Sequence, residues 1–215
     1  MDGELTGSLM RLRRYVEGAG FKGYDPYDAL NSPLLSRLTL GRKWPRIAAL
    51  QLLKRSPINL RPLLGVPKQY NPKGLGLFLW SYGKLYQRDQ DQASLAQIDF
   101  LLDRLSECRS EGVSGNGWGY NFDWQSRAFF VPKYTPTVVN SAFIGHALLD
   151  VHRFTGNTRA LDLAVPIADF ILSDLKRLPD GDNFCFSYTP IDEYAVHNAN
   201  LLGASLLIRL YAITG

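Results

Sequence analysis

Apolar side chains recur at spacings of three and four residues along most of the chain, which predicts a mainly helical protein. Leu5, Leu9, Leu12 and Val16 follow this spacing and predict an amphipathic first helix that ends at Gly18 or Gly20. The same pattern predicts further helices over residues 42–55, 71–87, 92–109, 135–155, 158–177 and 196–214.

The later part of the chain contains an internal repeat. Tyr120–Trp124 aligns with Phe184–Tyr188 at an offset of 64 residues, and Thr155-Gly156 aligns with Thr214-Gly215 at an offset of 59. Each unit consists of two antiparallel helices and an aromatic loop, and it needs neighbours to cover its apolar faces. The first helix of each unit is rich in small residues, so we expect these helices to approach one another closely (Gly74, Gly76, Ser81, Gly83; Ser141, Ala142, Gly145, Ala147; Ala199, Gly203, Ala204, Ser205).

Two aromatic loops follow the helical hairpins, at Gly115–Tyr134 and Asp180–Val196. We expect both loops on the same rim of the helical array, with a short β-hairpin that pairs Trp118–Asp123 with Ala128–Pro132. Large aromatic surfaces cost free energy in water, so these side chains need a partner. Two interpretations fit: a surface that binds sugars, or a hairpin that plugs the array.

The charge of the chain is unevenly distributed. Residues 1–70 contain 12 Lys/Arg and 5 Asp/Glu, whereas residues 71–215 contain 12 and 15. We predict a single domain over 1–215, with basic helices and a Pro-rich loop in residues 1–70 and repeated hairpins in 71–215. The basic region would suit an anionic glycan, a membrane surface or an acidic partner, while no nucleic-acid-binding motif is recognisable.

The cysteine pattern and the absence of long apolar runs predict a location in the cytoplasm. Cys108 and Cys185 lie far apart, without the spacing of a disulfide framework or a zinc site. We expect no metal and no cofactor. The sequence has no signal-peptide pattern and no apolar run of about 20 residues, so we place the protein in the cytoplasm, with peripheral contact at the inner membrane as an alternative.

Several motifs together resemble one protein family. They are Gly23–Asp28, Asn59–Leu64, Asn71–Gly74, Gly117–Trp124, Thr135–Thr137, Cys185–Pro190 and Val196–Leu201. In these residues the chain resembles α/α-toroid proteins encoded among bacterial capsule and exopolysaccharide biosynthesis genes, which are often described as squalene-cyclase-like or prenyltransferase-like. More distantly, the layout is similar to glucuronyl C5-epimerases and six-hairpin glycosidases, which place sugar chains against aromatic loops at one mouth of the toroid. Family members are much longer, so the resemblance implies about half a toroid and the N-terminal part of a longer domain.

The resemblance and the aromatic loops together predict that the chain binds a polysaccharide or its lipid-linked precursor. Flat aromatic rings stack on sugars, and amide side chains pair with hydroxyl groups. Arg61 or Lys133 would neutralise a uronate, although an ion-pair anchor is the favoured interpretation for Arg61. The other predicted binding residues are Trp118, Tyr120, Asn121, Trp124, Tyr134, Asn140, Asn198 and Asn200.

Modification of the glycan would need an acid and a base. The candidates are Asp123 with Glu193 or Tyr188, and His197 would orient or relay a proton. Epimerase-, lyase- and hydrolase-like reactions all fit this set. The structural alternatives are that the Asn and His side chains act as helix caps and loop contacts. His146 lies on an apolar helical pattern and is interpreted as a packing residue.

Two rival functions are a non-catalytic helical-repeat scaffold and a terpenoid cyclase. A cyclase would need an acidic motif of the DxDD or DDxxD type, which this sequence does not contain. The scaffold interpretation is stronger, because a helical repeat with a basic flank is a common scaffold for partners. Separately, the last predicted helix has no outer helix to cover it. Its leucines and isoleucine predict an apolar patch that a second copy or a missing C-terminal half would cover (Leu201, Leu202, Leu206, Leu207, Ile208 and Leu210).

Overall fold

The computed structural model describes residues 3–215 and confirms the predicted helical class. Two short antiparallel hairpins, β1 (Trp124–Gln125) with β2 (Phe130–Val131) and β3 (Arg177–Asp180) with β4 (Asn183–Phe186), contain its strands. The helices are α1 (Gly3–Gly18), α2 (Pro33–Leu38), α3 (Lys43–Arg55), α4 (Pro72–Asp89), α5 (Gln92–Glu107), α6 (Val138–Thr155), α7 (Thr158–Ala164), α8 (Ile167–Asp169) and α9 (His197–Thr214).

The chain forms two compact units. The first comprises Met1–Asn71 and Asn121–Val131, and the second comprises Pro72–Tyr120 and Pro132–Gly215. The single domain over residues 1–215 stays a prediction, and the two units are described separately below.

The first unit has a small core beneath α2 and α3. Leu30, Leu50, Leu53 and Val66 are buried in this core, and the rings of Tyr24 and Tyr27 pack against it. The helix α2 begins at Ser32-Pro33 because the Ser32 hydroxyl accepts a hydrogen bond from Leu35 N, and Pro33 lacks an N–H that would need a partner there. The β1–β2 hairpin also belongs to this unit.

The second unit has two layers of helices. In one layer, α6 lies between α4 and α9 and packs against both. In the other layer, α5 packs against α4, and α7 packs against α6. This arrangement agrees with the predicted hairpins α4–α5 and α6–α7, followed by a further first-layer helix, α9.

Glycines set the close spacing of α4, α6 and α9. A Cβ on Gly76 would lie 2.8 Å from the Ile144 side chain, and a Cβ on Gly145 would lie 2.6 Å from the Leu206 side chain. Real Cβ atoms do not approach other atoms so closely, so larger residues would push the helices apart. The predicted role of small residues in the first-layer helices is confirmed at these two positions.

The helix predicted over Thr158–Arg177 is interrupted at Pro166 and ends before Arg177. The α-helix α7 ends at Ala164, the short helix α8 follows Pro166, and a π-helical turn over Phe170–Asp174 leads into β3. Pro166 has no N–H for the helical ladder, and its ring clashes with the preceding turn. One continuous partner helix therefore does not form.

The hairpin predicted in the first aromatic loop also differs from the structure. Trp124 pairs with Val131 and Gln125 pairs with Phe130, so the strands lie closer to the turn than predicted. The offset of 64 residues also aligns unlike elements, because Tyr120–Phe122 lies outside any strand whereas the aligned Phe184–Phe186 lies in β4. Similar aromatic composition, and not equivalent structure, explains that alignment.

Within residues 3–215, no helix is long and apolar enough to cross a membrane. The same residues contain no cluster of three or more His, Cys, Asp or Glu side chains that could hold a metal ion.

Candidate functional site

Both aromatic loops contact the start of α6 in the second unit. Thr137 N donates to Trp118 O (3.0 Å), and Val138 N donates to Tyr188 O (3.1 Å). The Thr137 hydroxyl caps the helix by accepting a hydrogen bond from Asn140 N (3.0 Å). The loops therefore satisfy backbone groups at this helix end, which is a structural use of their residues.

Trp118 is fully buried and does not form the sugar-binding wall that the sequence suggested. Its Nε1 donates to Leu105 O (2.9 Å), and its backbone N donates to Ser141 Oγ (3.1 Å). The ring has no face open to a ligand. For Trp118, the structure favours the plug interpretation of the aromatic loop.

Tyr188 is also buried, and burial raises the pKa of its hydroxyl. The nearby Tyr120 raises this pKa further, while a hydrogen bond with the Thr137 side chain lowers it in part. Tyr188 is therefore protonated at neutral pH. In that form it can donate a proton or a hydrogen bond but cannot act as a general base.

Tyr134 presents the most exposed ring of the predicted binding residues in this loop. Its φ is 62°, a left-handed conformation that is uncommon outside glycine. Tyr134 N donates to the half-buried Tyr120 at its carbonyl (2.6 Å), and Tyr134 O accepts from Ser110 Oγ (2.7 Å). The exposed Lys133 lies with Nζ 5.7 Å from the Tyr134 ring centre. These contacts hold one aromatic ring and one cation at the surface.

Asn140 is fully buried in the first turn of α6. Neither Nδ2 nor Oδ1 of its side chain has a hydrogen-bond partner among the described residues. A side chain without exposed surface cannot contact a sugar in this conformation. The predicted binding role of Asn140 therefore lacks the exposure that it needs.

The predicted residues around the start of α9 do not converge on one point. Glu193 is exposed and pairs with Lys176 Nζ (2.9 Å), and this contact lowers the pKa of the carboxyl group. His197 is exposed, and its Nδ1 lies 4.0 Å from Asp180 Oδ2. Asn198 is exposed as well. Asn200 Oδ1 accepts a hydrogen bond from Phe186 N (3.1 Å), so Asn200 has the structural role that was the alternative in the sequence.

The remaining predicted residues belong to the first unit. Asn121 is buried and donates from Nδ2 to Gln69 Oε1 (3.2 Å). Trp124 is half-buried and meets Phe129 edge to face, with ring centres 5.3 Å apart. Asp123, the predicted acid, is half-buried, and it directly precedes Trp124 in the sequence.

Arg61 is an anchor inside the first unit. Its Nε donates to Asp28 Oδ1 (2.7 Å), and its Nη2 donates to Asp25 O (2.8 Å). The Asp28 carboxylate is buried, so the guanidinium supplies the charge that it needs. The ion-pair interpretation of Arg61 is confirmed, and a substrate clamp would have to replace these contacts.

A polar cluster that sequence reasoning missed links the three first-layer helices of the second unit. Asp150 on α6 accepts hydrogen bonds from Trp80 Nε1 on α4 (2.7 Å) and from Arg209 Nη2 on α9 (2.6 Å). Arg209 Nη1 also lies 2.9 Å from His146 Nδ1. Arg153 adds a longer contact to Asp150 (3.2 Å). One carboxylate thus joins groups from α4, α6 and α9.

Cations and aromatic rings extend this cluster along α4 and α6. Lys73 Nζ lies 4.4 Å from the Phe143 ring centre, and Lys84 Nζ lies 4.8 Å from that of Phe154. Lys84 Nζ is also 6.0 Å from the Trp80 ring centre. We call this surface the open face and define it by Lys73, Trp80, Lys84, Phe143, His146, Asp150, Arg153 and Arg209.

His146 is neutral at neutral pH. Burial lowers the pKa of its imidazole, and the adjacent Arg209 lowers it further. A neutral imidazole can accept a hydrogen bond at Nδ1 from Arg209 while its other nitrogen donates to the Leu202 carbonyl. His146 therefore positions the guanidinium and does not compete with it as a second cation.

The sequence did contain a weak signal for the open face. On α6, Phe143, His146, Asp150 and Arg153 follow a spacing of three, four and three residues, which places polar and aromatic side chains on one side of an otherwise apolar helix. The aromatic loops gave the stronger compositional signal. The sugar-binding residues were therefore predicted in the aromatic loops, where several of the rings pack inside the protein.

Comparison with known proteins does not assign a family. The chain matches no protein-family model, no curated protein and no solved structure. The resemblance to capsule-cluster toroid proteins stays a prediction.

Proposed function

We propose that the chain binds an acidic carbohydrate on the open face, as a toroid-type protein of bacterial polysaccharide biosynthesis. The observation that carries this proposal is the position of Arg209. His146 and Asp150 each hold one terminal nitrogen of its guanidinium, and Asp150 also holds the half-exposed Trp80 ring. These two contacts use two of the five guanidinium N–H groups, and a third of the Arg209 side chain is exposed to a ligand.

The charge of the open face favours an anionic ligand. Lys73, Lys84, Arg153 and Arg209 supply four positive charges, and Asp150 supplies one negative charge. His146 is neutral, so the face has a net charge of +3. A uronate carboxylate matches this balance, and Arg209 or Arg153 can bind it through paired hydrogen bonds.

The aromatic rings of the open face favour a ligand with flat apolar surfaces. Trp80 is 42% exposed although its Nε1 is fixed on Asp150, so the indole is held in place by its own hydrogen bond. A fixed ring loses little conformational entropy on binding. Trp80 and Phe143 would therefore stack on sugar C–H faces while the cations bind carboxylates.

The geometry supports binding better than catalysis. Tyr188 is buried and protonated, Glu193 is exposed and paired with Lys176, and the exposed His197 lies 4.0 Å from Asp180. Epimerase-, lyase- or hydrolase-like chemistry with Asp123 as partner therefore stays a hypothesis. It requires an acid and a base that reach the same sugar.

Calorimetric titration with an oligogalacturonate and with maltohexaose tests the proposal. We expect the wild-type chain to bind the acidic oligosaccharide and not the neutral one. Trp80→Ala and Arg209→Ala should each weaken binding about tenfold or more, a loss of about 1.4 kcal/mol. Arg88→Ala is the matched control, because Arg88 lies on α4, is not part of the open face and forms an exposed ion pair with the adjacent Asp89. Equal affinity for both sugars, or equal losses in all three variants, would contradict the proposal.

A second candidate function is a scaffold that uses α9, and it is favoured by exposed apolar side chains. Leu201, Ile208 and Tyr211 are exposed, whereas Leu206 and Leu210 are buried against α6 and its neighbours. The exposed apolar patch on α9 is therefore narrower than the patch predicted from the sequence. If this face mediates self-association, light scattering should show a concentration-dependent mass that Ile208→Asp abolishes. A concentration-independent monomer mass would count against it.

A further inference from the structure

A long stretch of the first unit is basic and contains no acidic residue. No Asp or Glu occurs between Asp28 and Asp89. The part of this stretch that belongs to the first unit, residues 29–71, contains eight basic side chains (Arg37, Arg42, Lys43, Arg46, Lys54, Arg55, Arg61 and Lys68). Most of them have no acidic neighbour in the sequence to neutralise them, so this part of the unit attracts anions.

Large apolar side chains are exposed in the same stretch. Seven of them are between 54% and 84% exposed (Leu34, Leu38, Leu40, Trp44, Leu52, Ile58 and Leu63). Single exposed apolar residues are normal on a protein surface, but seven within 30 residues are not. This concentration indicates a surface that contacts something apolar.

The exposed apolar residues form regular stripes on the helices. On α3, Trp44, Ala48 and Leu52 are exposed at spacings of four residues, and the buried side of this helix is formed by Ala49, Leu50 and Leu53. The exposed side of a surface helix is normally polar. The helix α3 is therefore apolar on both sides.

The neighbouring helix α2 continues this pattern. Leu34 and Leu38 are exposed one turn apart, and α2 packs against α3. Basic residues stand between the apolar ones, at Arg37 on α2, at Arg42 just before α3 and at Lys43, the first residue of α3. We define the α2–α3 surface by these apolar and basic residues (Leu34, Arg37, Leu38, Leu40, Arg42, Lys43, Trp44 and Leu52).

We propose that the α2–α3 surface docks on an anionic lipid bilayer. Trp and Leu side chains insert at the level of the lipid headgroups, and Lys and Arg side chains beside them pair with phosphates. An acidic protein would satisfy the cations, but it would not need the five exposed apolar side chains of this surface. A neutral apolar partner would not need an acid-free surface.

This surface is separate from the proposed carbohydrate site in the chain. The α2–α3 surface belongs to the first unit, and the open face belongs to the second. Membrane docking therefore does not depend on the carbohydrate proposal, and each can fail alone.

Co-sedimentation of the full chain with lipid vesicles tests the proposal. We expect binding to vesicles of phosphatidylglycerol and phosphatidylcholine, no binding to phosphatidylcholine alone, and weaker binding as salt increases. The double variant Trp44→Ser with Leu52→Ser should bind the phosphatidylglycerol vesicles with an affinity at least about tenfold lower than that of the wild type. Replacing Arg42 or Lys43 by Gln should lower the affinity for these vesicles roughly fivefold for each cation removed.

The matched control is Leu201→Ser with Ile208→Ser, because these α9 residues are equally exposed but lie in the second unit. This variant should bind vesicles like the wild type. Brominated lipids should quench the fluorescence of the wild type more than that of Trp44→Phe, and thermal melting would confirm that each variant is folded. Equal binding to both vesicle types, equal losses in both double variants, or no quenching that depends on Trp44 would overturn the proposal.

Discussion

The guanidinium of Arg209 on α9 lies 2.6 Å from the carboxylate of Asp150 on α6, and the Asp150 side chain is only 10% exposed. A nearly buried carboxylate needs hydrogen-bond donors, because an unpaired charge is costly away from water. Arg209 and Trp80 supply the two shortest contacts. The orientation of the open face therefore depends on Asp150, although this residue has little surface of its own.

Arg209→Ala should lower the free energy of unfolding by about 2 kcal/mol, below the cost of breaking a fully buried pair, because a third of the Arg209 side chain is exposed. Arg88→Ala, which removes an exposed pair screened by water, should leave the free energy of unfolding unchanged within experimental error. Urea denaturation of the three proteins measures both effects. Equal stability of Arg209→Ala and the wild type would show that the contact with Asp150 contributes nothing.

His146 should make stability depend on pH below about 6.5, the ordinary pKa of the imidazole. The folded state lowers the pKa of His146, so the unfolded chain takes up a proton first as the pH falls. The contribution of His146 to the free energy of unfolding is thus constant above about pH 6.5. It decreases as the pH falls from there through the lowered pKa. In His146→Gln this part of the decrease should vanish. Parallel curves of unfolding free energy against pH for the two proteins would contradict this assignment.

Asn140→Leu should not destabilise the second unit and should raise the free energy of unfolding by up to about 1 kcal/mol. The Asn140 amide is fully buried and has no described partner. Folding of the wild type therefore removes water from this amide without giving it a hydrogen bond in return. Leucine has a similar size and no polar group to bury. A loss above about 1 kcal/mol in thermal or urea unfolding would indicate an unseen partner, such as a buried water molecule. Affinity for an acidic oligosaccharide should stay unchanged.

Arg61→Met should destabilise the first unit by about 3–5 kcal/mol, because it leaves the buried Asp28 carboxylate without its cation. Asp28→Asn in the same chain should recover part of this loss. The double variant then costs less than the sum of the single variants, which a double-mutant cycle in urea measures. Additive losses would mean that Arg61 and Asp28 act independently.

Much of the helical fold could be predicted from the sequence. Apolar periodicity identified α3, α5, α6 and α9 to within a few residues, because each buries one stripe of side chains. The interruption at Pro166 was missed because Leu161, Ala164 and Ile171 continue the helical spacing on both sides of it. Periodicity records which face is buried, but it does not record whether the backbone between two buried positions keeps its hydrogen bonds.

The site was harder to predict than the fold. An aromatic ring that serves the core and one that serves a ligand have the same composition, and only burial distinguishes Trp118 from Trp80. The contacts of Asp150 with Trp80 and Arg209 span 70 and 59 residues of sequence, so no local pattern reveals them. Pairing across helices depends on how the helices pack, which follows from the whole second unit.

The glycine contacts between the first-layer helices have a consequence for the speed of recognition. Gly76 against Ile144 and Gly145 against Leu206 bring the helices into close contact, so little free space remains for sliding or rotation. A ligand would then meet a surface whose shape is already set, without waiting for a rearrangement. Stopped-flow mixing should accordingly give a single relaxation whose rate rises linearly with ligand concentration. A bulkier residue at Gly145 should convert this behaviour into a rate that reaches a plateau.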